Sequence, residues 1–482
     1  MSGTEKMGAS VLVIPQPTVN GPLHVGHLSG PYLAVDVAIR AARLRGDSVL
    51  AVAGVDKHQN YVAARADELG VPAERLAEDC RSRILDAFEA ARIGWQTFLD
   101  PVRDPAFGPA VAALASDLVR SGAVRMRETE LYRCARCRRT LHHVTIAGIC
   151  ACGAAASGGS CEACGGFTSA NTLTDATCTR CGGSPEPFLA TVPVFRMEDV
   201  RDRLVPMWLS AELPQQVRAL ITRYLDEGLP EVPLAYPTDW GIEGAGPLEG
   251  LRIDVYAELA LGYLHGIAEA VAGAPVTTLD DVRAAWTDGV RDFWQFHGID
   301  NSFYFAIFVP AMFAAAGLPT QPLAGLVVNQ FLLLDGLKFS TSRDHAIWVD
   351  EMLPAADADL LRLFLCWQRP DRRETDFSAE GWAAFQAWAA PLLHAVERPL
   401  TRRAPGDAGR RLPAALIGAE LDRAGAALRL AGFDPALAVR CVLGVLAADP
   451  TSARGRELLG VLLGRPIAVR FGLPAQVGGA DR

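Results

Sequence analysis

The chain has 482 residues, 50% of them hydrophobic and 21% charged, an ordinary globular composition that excludes a disordered protein. It is about three times the length of a ~150-residue domain, so two to four domains and a large core are expected. A formal net charge of -9 argues against a non-specific nucleic-acid binder and leaves only a local basic face for such contacts.

The first ten residues lack a basic segment joined to an apolar core, so no signal peptide is expected. The longest apolar stretch, residues 303–318, is short of a membrane span and contains Pro310. A cytoplasmic protein without membrane contact is the expectation. Positive charge is written almost entirely as arginine, with lysine only at Lys6, Lys57 and Lys338.

Residues 11–14 are a short apolar run, followed by a Pro/Gly loop at 15–23 and by His24-Val25-Gly26-His27, which opens a helical pattern reaching about residue 45. A strand that empties through a loop onto a helix N-terminus turns unpaired N–H groups and the positive dipole end toward the loop, which suits an anion. His24 and His27 lie on one face of the first turn, and Gly26 leaves the backbone open, a seat for a triphosphate. The plainer alternative is a helix cap and a surface histidine. Residues 48–55 read as a second buried strand ending at Asp56, and helical patterns follow at 61–69, 73–91 and 105–121. This alternation implies an α/β fold with a doubly wound parallel sheet, in which loop 15–23 and Asp56 share a crevice at the carboxyl ends of the strands.

From 129 to 188 Gly, Ser and Cys replace apolar periodicity. Eight of the 11 cysteines fall in close pairs: Cys134-x-x-Cys137, Cys150-x-Cys152, Cys161-x-x-Cys164 and Cys178-x-x-Cys181. Four pairs supply thiolates for two tetrahedral zinc sites, structural ones, in a module with too few large apolar residues for a core. His142 and His143 are read as surface residues, and Cys80, Cys366 and Cys441 as core. Helical pattern resumes at 200–227, a Pro/Gly stretch runs over 230–250, and a helix is expected around 282–293. Residues 326–334 read as a strand leading to a Gly-bearing turn, the rare Lys338, and the hydroxyls of Ser340, Thr341 and Ser342, which can donate to phosphate oxygens. The chain beyond 378 is helical to 463 and locally basic, with 13 Arg, no Lys and 9 acidic residues from 379 to 482. Arg402-Arg403 and Arg410-Arg411 are its candidate phosphate contacts.

His24-Val25-Gly26-His27 resembles the HIGH signature of class I aminoacyl-tRNA synthetases, and Lys338-Phe339-Ser340-Thr341-Ser342 resembles their KMSKS loop. The wider wording is similar to methionyl-tRNA synthetase, in Pro17 through Leu23, Gly298-Ile299-Asp300, Val309-Pro310-Ala311-Met312 and Asp376-Phe377-Ser378. The resemblance implies a Rossmann-type catalytic domain in two halves, 1–127 and 193–345. A zinc-binding connective insertion at 128–192 separates them; a linking segment at 346–378 and a reduced, anticodon-binding-like helical domain at 379–482 follow.

By that resemblance His24, His27 and Lys338 are catalytic, Gly26, Gly298, Asp300, Lys338, Ser340 and Ser342 contact ATP, and Asp56 holds the amino group of the amino acid. Nested knuckles are implied, with Cys150, Cys152, Cys161 and Cys164 on one zinc and Cys134, Cys137, Cys178 and Cys181 on the other. Thr341 stands where the family has a second loop lysine, so adenylation is expected to be retained but slower. The positions matching the methionine contacts read Gln16 for Leu, Thr18 for Tyr, Tyr256 for Trp, Ala260 for Pro, Asn301 for Ile, Phe305 for His and Val309 for Trp, with Tyr263 kept. These changes imply a more polar or a non-proteinogenic amino acid. The expected activity is formation of an aminoacyl-adenylate from ATP with Mg²⁺ and transfer to tRNA. The alternatives are a tRNA-independent ligase joining the amino acid to a small amine, and a non-catalytic tRNA-binding paralogue.

Overall fold

The computed structural model describes residues 8–319, 323–339, 345–355, 357–398 and 413–467; Ser340, Thr341, Ser342 and both arginine pairs of the tail lie outside them. The opening apolar run forms β1 (Ala9–Val13), whose last four residues are buried, as a strand covered on both faces must be. The chain then takes one turn at Val25–His27 and a π-helical turn at Leu28–Tyr32 before α1 (Leu33–Leu44). A single continuous pattern was expected here. Gly30, with ψ at −109°, and Pro31, which has no N–H to donate, interrupt the ladder. β2 (Val49–Gly54), α2 (Asn60–Leu69), α3 (Ala73–Ala90), β3 (Thr97–Leu99) and α4 (Phe107–Arg120) follow. β3 is too short to leave a readable pattern.

β4 (Arg125–Cys134) and β5 (Pro185–Arg196) pair antiparallel from Arg125↔Val194 to Cys134↔Pro185, forming a ribbon that carries residues 135–184 and their cysteines. After α5 (Arg201–Ser210), α6 (Gln215–Glu227) and α7 (Val255–Ala272) comes α8 (Leu279–Gly289), which begins on a Thr278/Asp281 capping box. The helix expected at 282–293 is corrected: it stops at Gly289, and Val290–Gly298 is a strand, β6. β6 lies between two neighbours with both faces buried, so its sequence lacks the alternation that marks a half-buried strand. α9 (Val309–Ala315) and β7 (Leu323–Asn329) complete the main sheet, which has the order β7-β6-β1-β2-β3 with every pair parallel.

The order reverses between β1 and β6, and the crevice at that switch point opens at the carboxyl ends of the strands. One face of the sheet packs on α4, α7 and α9, the other on α1, α3 and the C-terminal helices. Those are α10 (Ala358–Trp367), α11 (Ala379–Glu397), α12 (Ala414–Ala427), α13 (Pro435–Ala448) and α14 (Ala453–Leu463). Arg362, 1% exposed on α10, joins them to α1 through a 2.6 Å ion pair with Asp36. Cys80, Cys366 and Cys441 are buried in this core, as read. Among the described residues no helix is long and apolar enough to cross a membrane.

Candidate active site

The loop leaving β1 is pinned to the end of β2: Asp56 N–H donates to Pro17 O at 2.9 Å, and Val19 N–H to Asp56 O at 3.1 Å. His24 caps the first turn. His24 N–H donates to Nδ1 of His27, and His27 N–H to Nδ1 of His24, both at 3.3 Å. Val25 N–H donates to Ile347 O at 3.0 Å. The expectation of bare N–H groups facing an anion is corrected for His24, Val25 and His27, whose N–H groups are already bonded, and both imidazoles line the cavity together with Gly26.

The same strand-like contact around Ile347 brings the second motif alongside. Asp335 and Gly336 both have positive φ, 49° and 80°, as a type I′ hairpin requires, which folds Leu337–Lys338 back on Leu332–Leu334. Phe339 stacks on His24 with ring centres 4.8 Å apart, and His24 on His27 at 3.7 Å. A Cβ on Gly26 would stand 3.0 Å from His24 Nδ1, so this close stack needs a glycine. Lys338 Nζ lies 2.8 Å from Glu162 Oε2 and 3.9 Å from the centre of the Phe331 ring.

His24, Gly26, His27, Asp56, Gly298, Asp300 and Lys338 line one cavity of about 300 Å³. Gln16, Thr18, Tyr256, Asn301 and Phe305 line it too, whereas Tyr263 and Val309 are fully buried, away from its wall, on α7 and α9. Lys338 is the only Lys or Arg lining it among the described residues. Burial, and then the neighbouring Glu258, push the Asp56 carboxyl well above its ordinary range, with Gln59 partly opposing. Glu258 is itself paired with His58 at 2.8 Å. Burial also raises Asp300, against the pull of Lys338, and a Cβ on Gly298 would lie 2.6 Å from Asp300 Oδ1.

A second cavity of about 730 Å³ adjoins the first, sharing Thr18, His27 and Tyr256 and running out to Ser157, Ser160 and Glu162 of the insertion. His142 and His143, expected at the surface, are 9% and 7% exposed. The correction has a physical cause: they sit where the insertion docks on the main body. His143 Nε2 pairs with Asp254, and His142 stacks on Tyr236 at 4.4 Å with Nε2 3.1 Å from Asn60 Nδ2.

The cysteines gather as two groups, Cys134, Cys137, Cys178, Cys181 and Cys150, Cys152, Cys161, Cys164, with all sulfurs of each group within 4.8 Å of one another. Sγ–Sγ separations of 3.4 and 3.7 Å in the first and 3.8 Å in the second match the about 3.8 Å edge of a tetrahedron with Zn–S bonds of about 2.3 Å. They are far too long for disulfides. The donor sets fit two zinc ions.

The family described as class I tRNA synthetases (M) matches residues 11–388. The chain belongs to that family. It is 30% identical to a methionine–tRNA ligase of Methanopyrus kandleri over 399 residues, covering 79% of this chain and 56% of that protein. To one of Dehalococcoides mccartyi it is 30% identical over 376 residues, covering 77% and 66%. The chain thus spans between half and two thirds of the length of these curated relatives. A Mycobacterium tuberculosis methionyl-tRNA synthetase solved with methionyl-adenylate shares its fold, with a TM-score of 0.69 and 18% identity over 94% of this chain and 89% of that one.

In this class I (M) chain four histidines are held neutral by burial: His24 down to about 2, also by His27 and Lys338, His27 to about 4, and His142 and His297 to about 3. A depressed folded pKa stabilises the fold fully above the unfolded value of about 6.5 and is lost progressively as pH falls from there toward the folded values. Each imidazole removes up to about 1.4 kcal/mol per pH unit in that window. The raised Asp56 has the opposite sign and offsets part of this at low pH. Urea midpoints are therefore expected to be flat from pH 8 to 7 and to drop steeply between pH 6.5 and 4.5; a constant midpoint down to pH 5 would contradict the buried neutral imidazoles.

Proposed function

We propose that the chain activates an amino acid with ATP·Mg²⁺, forming an aminoacyl-adenylate and pyrophosphate, and transfers the aminoacyl group to the 3′ end of a tRNA. The observation that carries this reading is the convergence of His24, Gly26 and His27 with Lys338 and Asp56 on one cavity, although more than three hundred positions separate the two motifs. The carboxylate oxygen attacks the α-phosphorus as the bond to pyrophosphate breaks, with no covalent protein intermediate. His24 and His27, neutral, donate hydrogen bonds to phosphate oxygens; Lys338 exchanges Glu162 for the triphosphate and supplies charge where it develops. Gly298 and Asp300 face the ribose, Ser340 and Ser342 continue the phosphate contacts, and Asp56 takes the ammonium. Gln16, Thr18, Tyr256, Asn301 and Phe305, backed by Tyr263 and Val309, shape a side-chain pocket remodelled from the methionine type. When bound, the two zinc ions hold the insertion in shape through the eight cysteines.

A second reading keeps the adenylate and changes the acceptor to a small amine. It is favoured by the adjoining cavity, whose wall includes the carboxylates of Glu162 and Asp300 and no Lys or Arg among the described residues. ATP–pyrophosphate exchange with a panel of amino acids tests the adenylation step, and absence of exchange with every one refutes it. Charging of total tRNA, set against amide formation with small amines, separates the two acceptors.

A further inference from the structure

His297 sits near the carboxyl end of β6, 1% exposed, on the wall of the main cavity. Its ring stacks on Phe305 with centres 4.9 Å apart at 13°. Nε2 lies 3.4 Å from Ser302 Oγ, and Nδ1 has no partner. Three other lining groups are in the same state, Nε2 of Gln16, Oε1 of Gln59 and Oδ1 of Asn329. A buried polar atom left unpaired costs the full loss of its hydration, so several of them around one cavity mark groups completed by a ligand.

Their positions divide the ligand. Asn329 stands beside Gly298 and Gly30, at the nucleotide end, where a Cβ on Gly30 would be 2.9 Å from its Nδ2. Gln59 contacts Asp56, where an ammonium sits. Gln16 and His297 remain for the side chain, together with the lining residues Thr18, Asn301 and Phe305. None of these carries charge, since burial keeps the imidazole neutral. With Asp56 committed to the ammonium and Asp300 to the nucleotide end, a cationic side chain would find no counter-charge among these residues, and an anionic one no cation, since Lys338 serves the triphosphate.

We infer that the pocket selects an amino acid whose uncharged side chain ends in a carboxamide or ureido group, with His297 as the specificity-determining residue. This rests on the adenylation reading. A carboxamide offers both an acceptor for the Gln16 amide and a partner for His297 Nδ1, and a thioether leaves both unpaired. Discrimination against a side chain lacking such a group is strong where the site's polar atoms would otherwise stay buried and unpaired.

The test uses the purified full chain with glutamine, asparagine, citrulline, serine, methionine, norleucine, glutamate and lysine, read by pyrophosphate exchange and, without ATP, by calorimetric binding. A carboxamide or ureido amino acid is expected to exceed methionine at least tenfold in kcat/KM. His297→Ile is expected to erase that preference through KM, and His297→Gln to retain part of it. Preference for methionine, norleucine, serine or a charged side chain overturns the inference and leaves adenylation standing. If no amino acid supports exchange, adenylation falls and calorimetry decides: carboxamide binding weakened by His297→Ile sustains the inference, and equal or absent binding ends it. The comparison among substrates on the unmutated chain needs no variant to fold.

Discussion

Replacing Lys338 by alanine is expected to lower pyrophosphate exchange by about 10²–10³-fold, mostly in kcat, with little change in stability. The magnitude follows from what else faces the triphosphate. His24 and His27 are held neutral, so they contribute hydrogen bonds without charge. Lys338 is therefore the one full positive charge lining the cavity among the described residues, and removing one charge donor aimed at the reacting phosphates costs about 3–4 kcal/mol of transition-state stabilisation. Its ground-state partner is a poor anchor for the fold. The Lys338 and Glu162 side chains are 42% and 61% exposed, and pairs of that kind are worth roughly 0–1 kcal/mol. Urea unfolding of the variant should thus overlay the parent. Exchange within threefold of the parent would show that Lys338 does not face the reacting phosphates, and the adenylation site would have to be sought elsewhere.

Removing zinc is expected to unfold the insertion and leave the main sheet standing. Residues 135–184 have almost no core of their own: Leu141, Ile146, Ala170 and Leu173 are grouped with the cysteine side chains, separately from the two large clusters that flank the sheet. Zinc in an all-thiolate site supplies apparent folding energy of about 10–16 kcal/mol, far beyond what four small apolar contacts provide. Elemental analysis should give two zinc per chain, with Cys178→Ser and Cys161→Ser each losing one. Chelation should loosen the backbone around Arg138, Arg139 and Arg180 enough for trypsin to cut there, while the fragments on either side stay folded. Exchange should also fall, because the His143–Asp254 pair docks the insertion on the start of α7, which carries Tyr256 of the cavity wall. Protein isolated with no zinc and these arginines still protected would refute the metal-held module.

What could be read from the chain alone was local. The apolar run at 11–14, the Pro/Gly loop, the paired histidines and the four cysteine pairs each state their chemistry within a few residues, because a turn, a helix face or a metal knuckle is closed by near neighbours. The helices at 60–69, 73–90 and 107–120 were legible for the same reason. β6 was not, since a strand buried on both faces has no period of its own and is recognised only by its neighbours β1 and β7. With β6 hidden, His297 stayed hidden too.

The tertiary structure alone decided which distant side chains meet. Phe339 lies on His24, Glu162 from a zinc knuckle holds Lys338, and His143 reaches Asp254, each pair separated by a hundred residues or more. No spacing encodes such pairs. They arise because the parallel sheet delivers every strand's carboxyl end to one rim and the ribbon of β4 and β5 folds the insertion back over it, and that geometry belongs to the whole chain.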